Sequence, residues 1–265
     1  MNEVDINLIN QQRFAGVERV YGRMAVDNFK SAHICIIGLG GVGSWAVEAL
    51  ARSAIGQLTL IDLDNVAASN INRQIHALDK TIGMPKTTAL FERVKSINPN
   101  CRITEIEDFI NLNNIQQLIS TDFTYVIDCT DDFRVKAALC NYCRRQKIKL
   151  LVTGGAGGQT HPGKITLADL SRTENDPLLA QTRRLLRQNY GFPRNLKRRF
   201  DIPCVYSLEQ AVYPARDGQV TFDKSQSTST TGLNCAQGLG SAVTVTASFG
   251  MFAAAHVLNK LANKM

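Results

Sequence analysis

Apolar positions along this chain fall into short runs bounded by glycine, proline and acids, with amphipathic stretches between them. His33–Ile37 (HICII) is apolar and rich in β-branched residues, the pattern of a buried strand; Gln57–Ile61 (QLTLI), Cys101–Ile106, Tyr125–Cys129 and Lys149–Thr153 read as further strands. Between them Val42–Ala54, Pro85–Asn98 and Phe133–Gln146 repeat at helical spacing. Pro85 suits a first helical turn and Pro99 a stop. Strand and helix alternating in this order predicts an α/β fold. Its sheet is mostly parallel and Rossmann-like, with right-handed crossovers and helices on both faces. Residues 1–30 read as a charged helical arm ahead of the first strand.

Beyond Thr153 the pattern changes. Gly154–Gln159 (GGAGGQ) is a turn-rich hinge, Asp176–Tyr190 a basic helix and Gly191–Pro203 a basic, turn-prone loop. Strand-like pieces lie near Val205 and Val220, and Ser225–Thr231 is polar and of low complexity, the composition of a mobile loop. Leu239–Leu258 is long enough to span a bilayer, since about 20 apolar residues suffice. Its Ala, Ser, Thr and Gly content and His256 instead predict a buried C-terminal helix; peripheral membrane association through this segment is the competing reading.

Composition narrows the class. In 265 residues, 44% are hydrophobic and 20% charged, the balance of a folded domain and not of a disordered chain. The formal net charge of +7 weakly favours a polyanionic partner. Seven cysteines, an odd number lying mostly in apolar segments, argue against a disulfide framework and for a reducing compartment. The N-terminal stretch MNEVDINLINQQRF lacks a basic-then-apolar signal pattern, so a cytoplasmic location is expected.

The candidate chemistry starts after the first strand, at Gly38-Leu39-Gly40-Gly41-Val42-Gly43-Ser44. Glycines there permit a tight strand-to-helix turn and close backbone approach to phosphate, and the following helix offers free N–H groups. Asp62 ends the second strand, where an acid can accept from ribose hydroxyls. A structural glycine turn is the competing reading; the strand before, the helix after and the acid at the expected distance favour a nucleotide.

The segments DLDNVAASNINRQ and GMPK tell NAD(P) and ATP apart. Hydride transfer needs apolar cover for a nicotinamide. Attack of a carboxylate on an α-phosphate instead accumulates negative charge at phosphorus and on departing pyrophosphate, for which fixed cations are the direct remedy. Arg73 and Lys86 are candidate cations, and Asn70 a candidate donor to a phosphate oxygen.

GLGGVGS, DLDNVAASNINRQ and GMPK, within about Arg13 to Gln159, resemble the adenylation domain of the ubiquitin-activating-enzyme superfamily, whose bacterial members activate sulfur-carrier proteins. The resemblance implies Gly38, Gly40, Gly41 and Gly43 around the phosphates of ATP, Asp62 on the ribose, and Asn70, Arg73 and Lys86 on the triphosphate. It places the Mg2+-binding aspartate on Asp131 of DCTDD, with Asp128 and Asp132 as alternative donors. It also implies an arginine delivered by the second subunit of a homodimer, for which Arg19 is the first candidate and Arg13 the second. On this basis residues 1–30 are the arm, 31–160 an ATP-binding adenylation core, and 161–265 a substrate and dimerisation region of the same fold.

Sulfur-carrier activators usually hold zinc on two Cys-x-x-Cys pairs. This chain has one, Cys140–Cys143, inside a predicted helix, so zinc is not expected. Instead RRLLRQNYGFPRNLKRRF interleaves cations with Tyr190, Phe192 and Phe200. Cations can run along a phosphate backbone while aromatics stack on exposed bases; a solvated basic helix is the competing reading. NRQIHAL, PNCRITEI, YCRRQKI, TGGAGGQ, ENDPLLA and NCAQGLGSAVTVTASFG together resemble the tRNA threonylcarbamoyladenosine dehydratases, nearly end to end. That family implies an adenylating, ATP-dependent enzyme. It would activate the threonyl carboxylate of threonylcarbamoyladenosine next to the anticodon of tRNA and close a cyclic hydantoin with net loss of water. Adenylation of a ubiquitin-like sulfur carrier is the alternative. Relatives that ligate ubiquitin-like proteins capture the adenylate on a cysteine, which makes Cys235 a candidate catalytic thiol. A sulfurtransferase or sulfur-acceptor protein is a further candidate partner.

Overall fold

The computed structural model describes residues 3–223, 225 and 239–263. Cys235 and most of the polar 225–231 stretch lie outside the described residues.

Helices α1 (Glu3–Tyr21) and α2 (Arg23–Ser31) lead into strand β1 (His33–Ile37), helix α3 (Gly43–Ala51) and β2 (Gln57–Ile61). Then come α4 (Lys86–Ile97), β3 (Arg102–Ile106), the short α5 (Ile115–Leu118), β4 (Tyr125–Asp128), α6 (Phe133–Gln146) and β5 (Leu150–Thr153). The second half supplies β6 (Ile165–Asp169), α7 (Pro177–Asn189), β7 (Pro203–Ser207), a small hairpin of β8 (Tyr213–Pro214) and β9 (Val220–Thr221), and α8 (Val243–Ala262).

One seven-stranded sheet runs β3-β2-β1-β4-β5-β7-β6. Every pairing is parallel except that of edge strand β6 with β7. The sheet therefore continues across residue 160: β7 pairs with β5, and the second half extends the first half's sheet instead of only capping it. Side chains alternate between faces along each strand. Ile34, Ile36, Leu58, Leu60 and Ile127 join one buried cluster with α2, α3, α4 and α8. Cys35, Ile37, Ile61 and Val126 join the other with α5, α6 and α7.

The apolar C-terminal segment is spent inside the molecule. Val245, Phe249, Ala253, Val257 and Leu261 of α8 are buried in the cluster that holds α2 and α3. Among the described residues, no helix is long and apolar enough to cross a membrane, and with this face of α8 buried no support remains for peripheral association through it.

The basic loop is ordered from within. Phe192 and Phe200 are buried and meet edge to face, with ring centroids 5.0 Å apart. Arg144 lies over Phe192 and Arg187 over Phe200, at 4.5 and 5.2 Å. Stacking of these two rings on bases, expected from the sequence, is therefore corrected: burial in the α6–α7 layer claims both. The neighbouring Arg194, Lys197, Arg198 and Arg199 stay exposed.

Candidate nucleotide and phosphate site

The chain order turns around between β1 and β4, and loops at the carboxyl ends of these strands frame the crevice where doubly wound sheets bind ligands. A cavity of about 480 Å³ lies there. Gly38, Gly40 and Gly41, Asp62, Arg73, Lys86 and Asp131 all line it, so residues spread over nearly a hundred positions meet at one place.

The glycine turn is built for closeness. Gly38 has φ +81°, a conformation that side chains avoid. Gly43 does not line the cavity. A Cβ there would overlap Gly38 O, so its part is to let α3 start hard against the turn. Asp62 is buried and holds the turn itself: Oδ2 accepts from Leu39 N at 2.6 Å, and Oδ1 from Asp64 N at 2.9 Å. Burial lifts its carboxyl above the ordinary value, against the Lys86 ammonium and both N–H groups.

Lys86 opens α4, an unfavourable end of a helix for a cation, and is buried. Two carboxylates make the placement possible: Nζ lies 2.6 Å from Asp64 Oδ2 and 3.7 Å from Asp62 Oδ1. Arg73 is less enclosed. Its Nη1 donates to Ser69 O at 2.8 Å and Asn72 Oδ1 at 3.0 Å, and Trp45 Nε1 pins its carbonyl at 2.9 Å. Asn70 caps its own turn, accepting from Ala67 N at 3.1 Å, and stands behind Arg73 instead of on the cavity wall.

The three acids of DCTDD separate by environment. Asp128 is fully buried with Lys136, whose Nζ lies 2.9 Å from Oδ2, a contact of opposite charges without aligned hydrogen-bond geometry. Burial works to discharge Lys136, but the Asp128 carboxylate wins and its pKa is raised. Asp128 Oδ1 accepts from Thr130 N and Oγ1 at 2.9 and 2.7 Å. Asp132 caps α6, accepting from Arg134 N at 2.7 Å. Asp131 lines the cavity and is exposed, and no hydrogen bond or ion pair to another described residue engages its carboxylate.

Arg13 is used within its own chain, donating to Ser96 O and Ile97 O at the end of α4. Arg19 is exposed, with a bond from Nε to Ala15 O at 3.2 Å. Val20 and Met24 beside it are 79% and 74% exposed. Cys140 and Cys143 are buried in α6, where burial raises both thiols, Cys143 to about 12. Among the described residues no group of three or more His, Cys, Asp or Glu is placed to hold a metal ion.

Sequence reasoning passed over several residues of the site. Gln74 is buried on the cavity wall, and its Oε1 has no hydrogen-bond partner among the described residues. It sits inside the NINRQ motif, yet nothing in its spacing distinguishes it from Arg73. The connection after β3 adds Asp108, Phe109 and Asn111 to the wall. A loop at the carboxyl end of a parallel strand was the available signal for those.

A glycine turn, a buried strand-end acid and two cations at the switch point of a doubly wound sheet define a nucleotide-binding α/β protein. The ThiF family model matches residues 12–264. The chain is 48% identical over 254 residues to the tRNA threonylcarbamoyladenosine dehydratase of Escherichia coli (strain K12), covering 96% of this chain and 95% of that protein. The protein of the same description from Haemophilus influenzae is 49% identical over 254 residues, with 96% and 95% covered. A crystal structure of the E. coli enzyme in complex with ATP matches with TM-score 0.84 and 45% identity over 95% of this chain and 94% of that one. The chain belongs to the ThiF family, and within it stands with the tRNA threonylcarbamoyladenosine dehydratases.

Proposed function

We propose that this protein uses ATP to dehydrate threonylcarbamoyladenosine in tRNA to its cyclic hydantoin form. One observation carries the proposal. Lys86, Arg73, the glycine turn and an unengaged Asp131 share one cavity in a chain whose full-length relatives are described as carrying out this reaction. The threonyl carboxylate attacks the α-phosphorus of ATP and pyrophosphate leaves. That carboxylate is ionised at neutral pH, so the step needs alignment and charge neutralisation, not a base. Arg73 and Lys86 face the growing charge while Gly38, Gly40 and Gly41 surround the phosphates. The purine-side carbamoyl nitrogen then attacks the acyl carbon, its C–O bond to AMP breaks, and the nitrogen gives up its proton.

Asp131 is the residue to hold Mg2+: of the three acids it alone has a carboxylate without a partner among the described residues, and Mg2+ takes one or two carboxylates together with substrate phosphates. When bound, that ion neutralises phosphate charge. Arg19 is assigned to the second copy of a homodimer, supported by its exposure next to the uncovered Val20 and Met24. The exposed cations Arg194, Lys197, Arg198 and Arg199 are assigned to the tRNA backbone.

The test is pyrophosphate release by the purified protein with ATP and tRNA bearing threonylcarbamoyladenosine, with the nucleoside followed by mass spectrometry. Release that requires the modified tRNA, with loss of one water from the nucleoside, is expected. Release that instead requires a sulfur-carrier protein overturns the reading.

A further inference from the structure

A second, smaller cavity of about 50 Å³ shares Asp131, Gly155 and Leu178 with the nucleotide cavity. Gln159, Ala211 and Tyr213 line its far side. Its walls are fixed by backbone. Gly158, at φ +71°, donates from N to Gly240 O at 2.7 Å and accepts at O from Val212 N at 2.8 Å. Gly155 N donates to Asp176 Oδ2 at 2.8 Å. The glycine-rich turn that reads as a hinge in the sequence is thus a clamped wall.

Gln159 is 6% exposed. Its Nε2 donates to Gly155 O at 3.3 Å, and its Oε1 is a buried acceptor with no partner among the described residues. Because Gly155 O can only accept, the amide NH2 must face it, which fixes the oxygen on the other side. A buried acceptor left unpaired is costly and calls for a donor. The cavity has room for about four water-sized groups.

We propose that this cavity seats the threonyl end of the substrate, with Gln159 as a specificity-determining residue whose Oε1 accepts from the threonyl-side ureido N–H. This rests on the dehydratase reading above. Closing a five-membered ring consumes the purine-side nitrogen, because the threonyl-side nitrogen is already bonded to the α-carbon and would close only a three-membered ring. The threonyl-side N–H therefore survives from substrate to product and can be held throughout. With that N–H on Gln159, the hydroxyethyl side chain fills the small cavity and the carboxylate reaches past Asp131 into the large one.

The experiment uses the full-length protein and two tRNAs, one bearing threonylcarbamoyladenosine and one its glycyl analogue, which lacks the side chain. The parent is expected to favour the threonyl tRNA by roughly tenfold or more in kcat/KM. Gln159→Leu, which loses the acceptor, is expected to raise KM for both tRNAs by about tenfold. Ala211→Val, which narrows the cavity, is expected to lower kcat/KM for the threonyl tRNA by about fivefold or more while sparing the glycyl one. Kd for ATP stays within about twofold of the parent in every variant, which shows that each is folded. An active parent whose Ala211→Val treats both tRNAs alike, or whose Gln159→Leu keeps the parental KM, overturns this inference alone. A parent inactive on both tRNAs overturns the dehydratase reading and this inference with it.

Discussion

Arg73 and Lys86 bring positive charge to the same cavity in different ways. Lys86 is enclosed by Asp62 and Asp64, whereas Arg73 rests on carbonyls and an amide of its own turn. Arg73→Ala removes a partly exposed side chain and is expected to lower pyrophosphate release about 10²–10³-fold with the melting temperature nearly unchanged. Lys86→Ala is expected to lose as much activity and some stability too, because Asp62 then stays buried beside Asp64 with no cation. Near-parental turnover by either variant in a pyrophosphate assay would falsify the assignment. His76, behind this site, is buried with neither ring nitrogen hydrogen-bonded to a described residue. Burial first, then Lys86 and Arg93, lower its pKa from 6.5 to about 4. As pH falls below 6.5 the unfolded chain takes up this proton before the folded one does, so acidification towards 4 destabilises the fold. His76 alone contributes at most about 3 kcal/mol. Urea midpoints between pH 7 and 4.5 should fall less steeply in His76→Phe; an unchanged slope excludes this source. At this scale the sequence was legible as far as which residues meet at the cavity, as with Gly38, Arg73 and Lys86; their contacts with a nucleotide belong to the proposal. It was silent on Gln74 and Gln159, whose importance lies in an unpaired oxygen that only burial reveals.

Elements were legible where burial leaves a continuous apolar run. Strands β1 to β5 each stand within a residue of their expected bounds; β1, β4 and β5 are covered on both faces and nearly continuously apolar, whereas β3, at the sheet edge, reads RITEI and has no buried residue. β6 was missed. It is an edge strand reading ITLAD with only its first residue buried, too short and too mixed for alternation to show. Lys136 also escaped notice, because a lysine on a predicted helix reads as solvated, yet it is fully buried against Asp128. That pair anchors the β4–α6 turn through Thr130 and so sets where Asp131 stands. Lys136→Met leaves a buried carboxylate alone and is expected to cost about 3–5 kcal/mol in urea unfolding. Adding Asp128→Asn should recover part of that loss. If Lys136→Met is as stable as the parent, the pair does not hold the turn.

At the scale of the molecule, two sheet faces are divided between two sets of helices, and the charge is unevenly spread. From Arg183 to Arg199 the chain carries seven cations and no acid. Four of them, Arg194, Lys197, Arg198 and Arg199, project from a loop pinned by Phe192 and Phe200 beneath it. The aromatic half of the expected nucleic-acid pattern went to the core and the cationic half remained outside, because a phenyl ring gains more from burial than from solvent while a guanidinium does not. A surface of this kind senses phosphate charge, not base identity, and its binding should be governed by counterion release. Replacing the four with glutamine is expected to weaken tRNA binding and to flatten the plot of log K against log salt by about 3, near 0.7–0.9 for each phosphate no longer neutralised. The phenylalanine anchors are untouched, so the melting temperature should stay with the parent. Filter binding across a salt series separates the outcomes. A parallel line at lower affinity would mean that the loop acts through its shape. An unchanged line would mean that the tRNA backbone runs elsewhere on the molecule and that these four cations only face water.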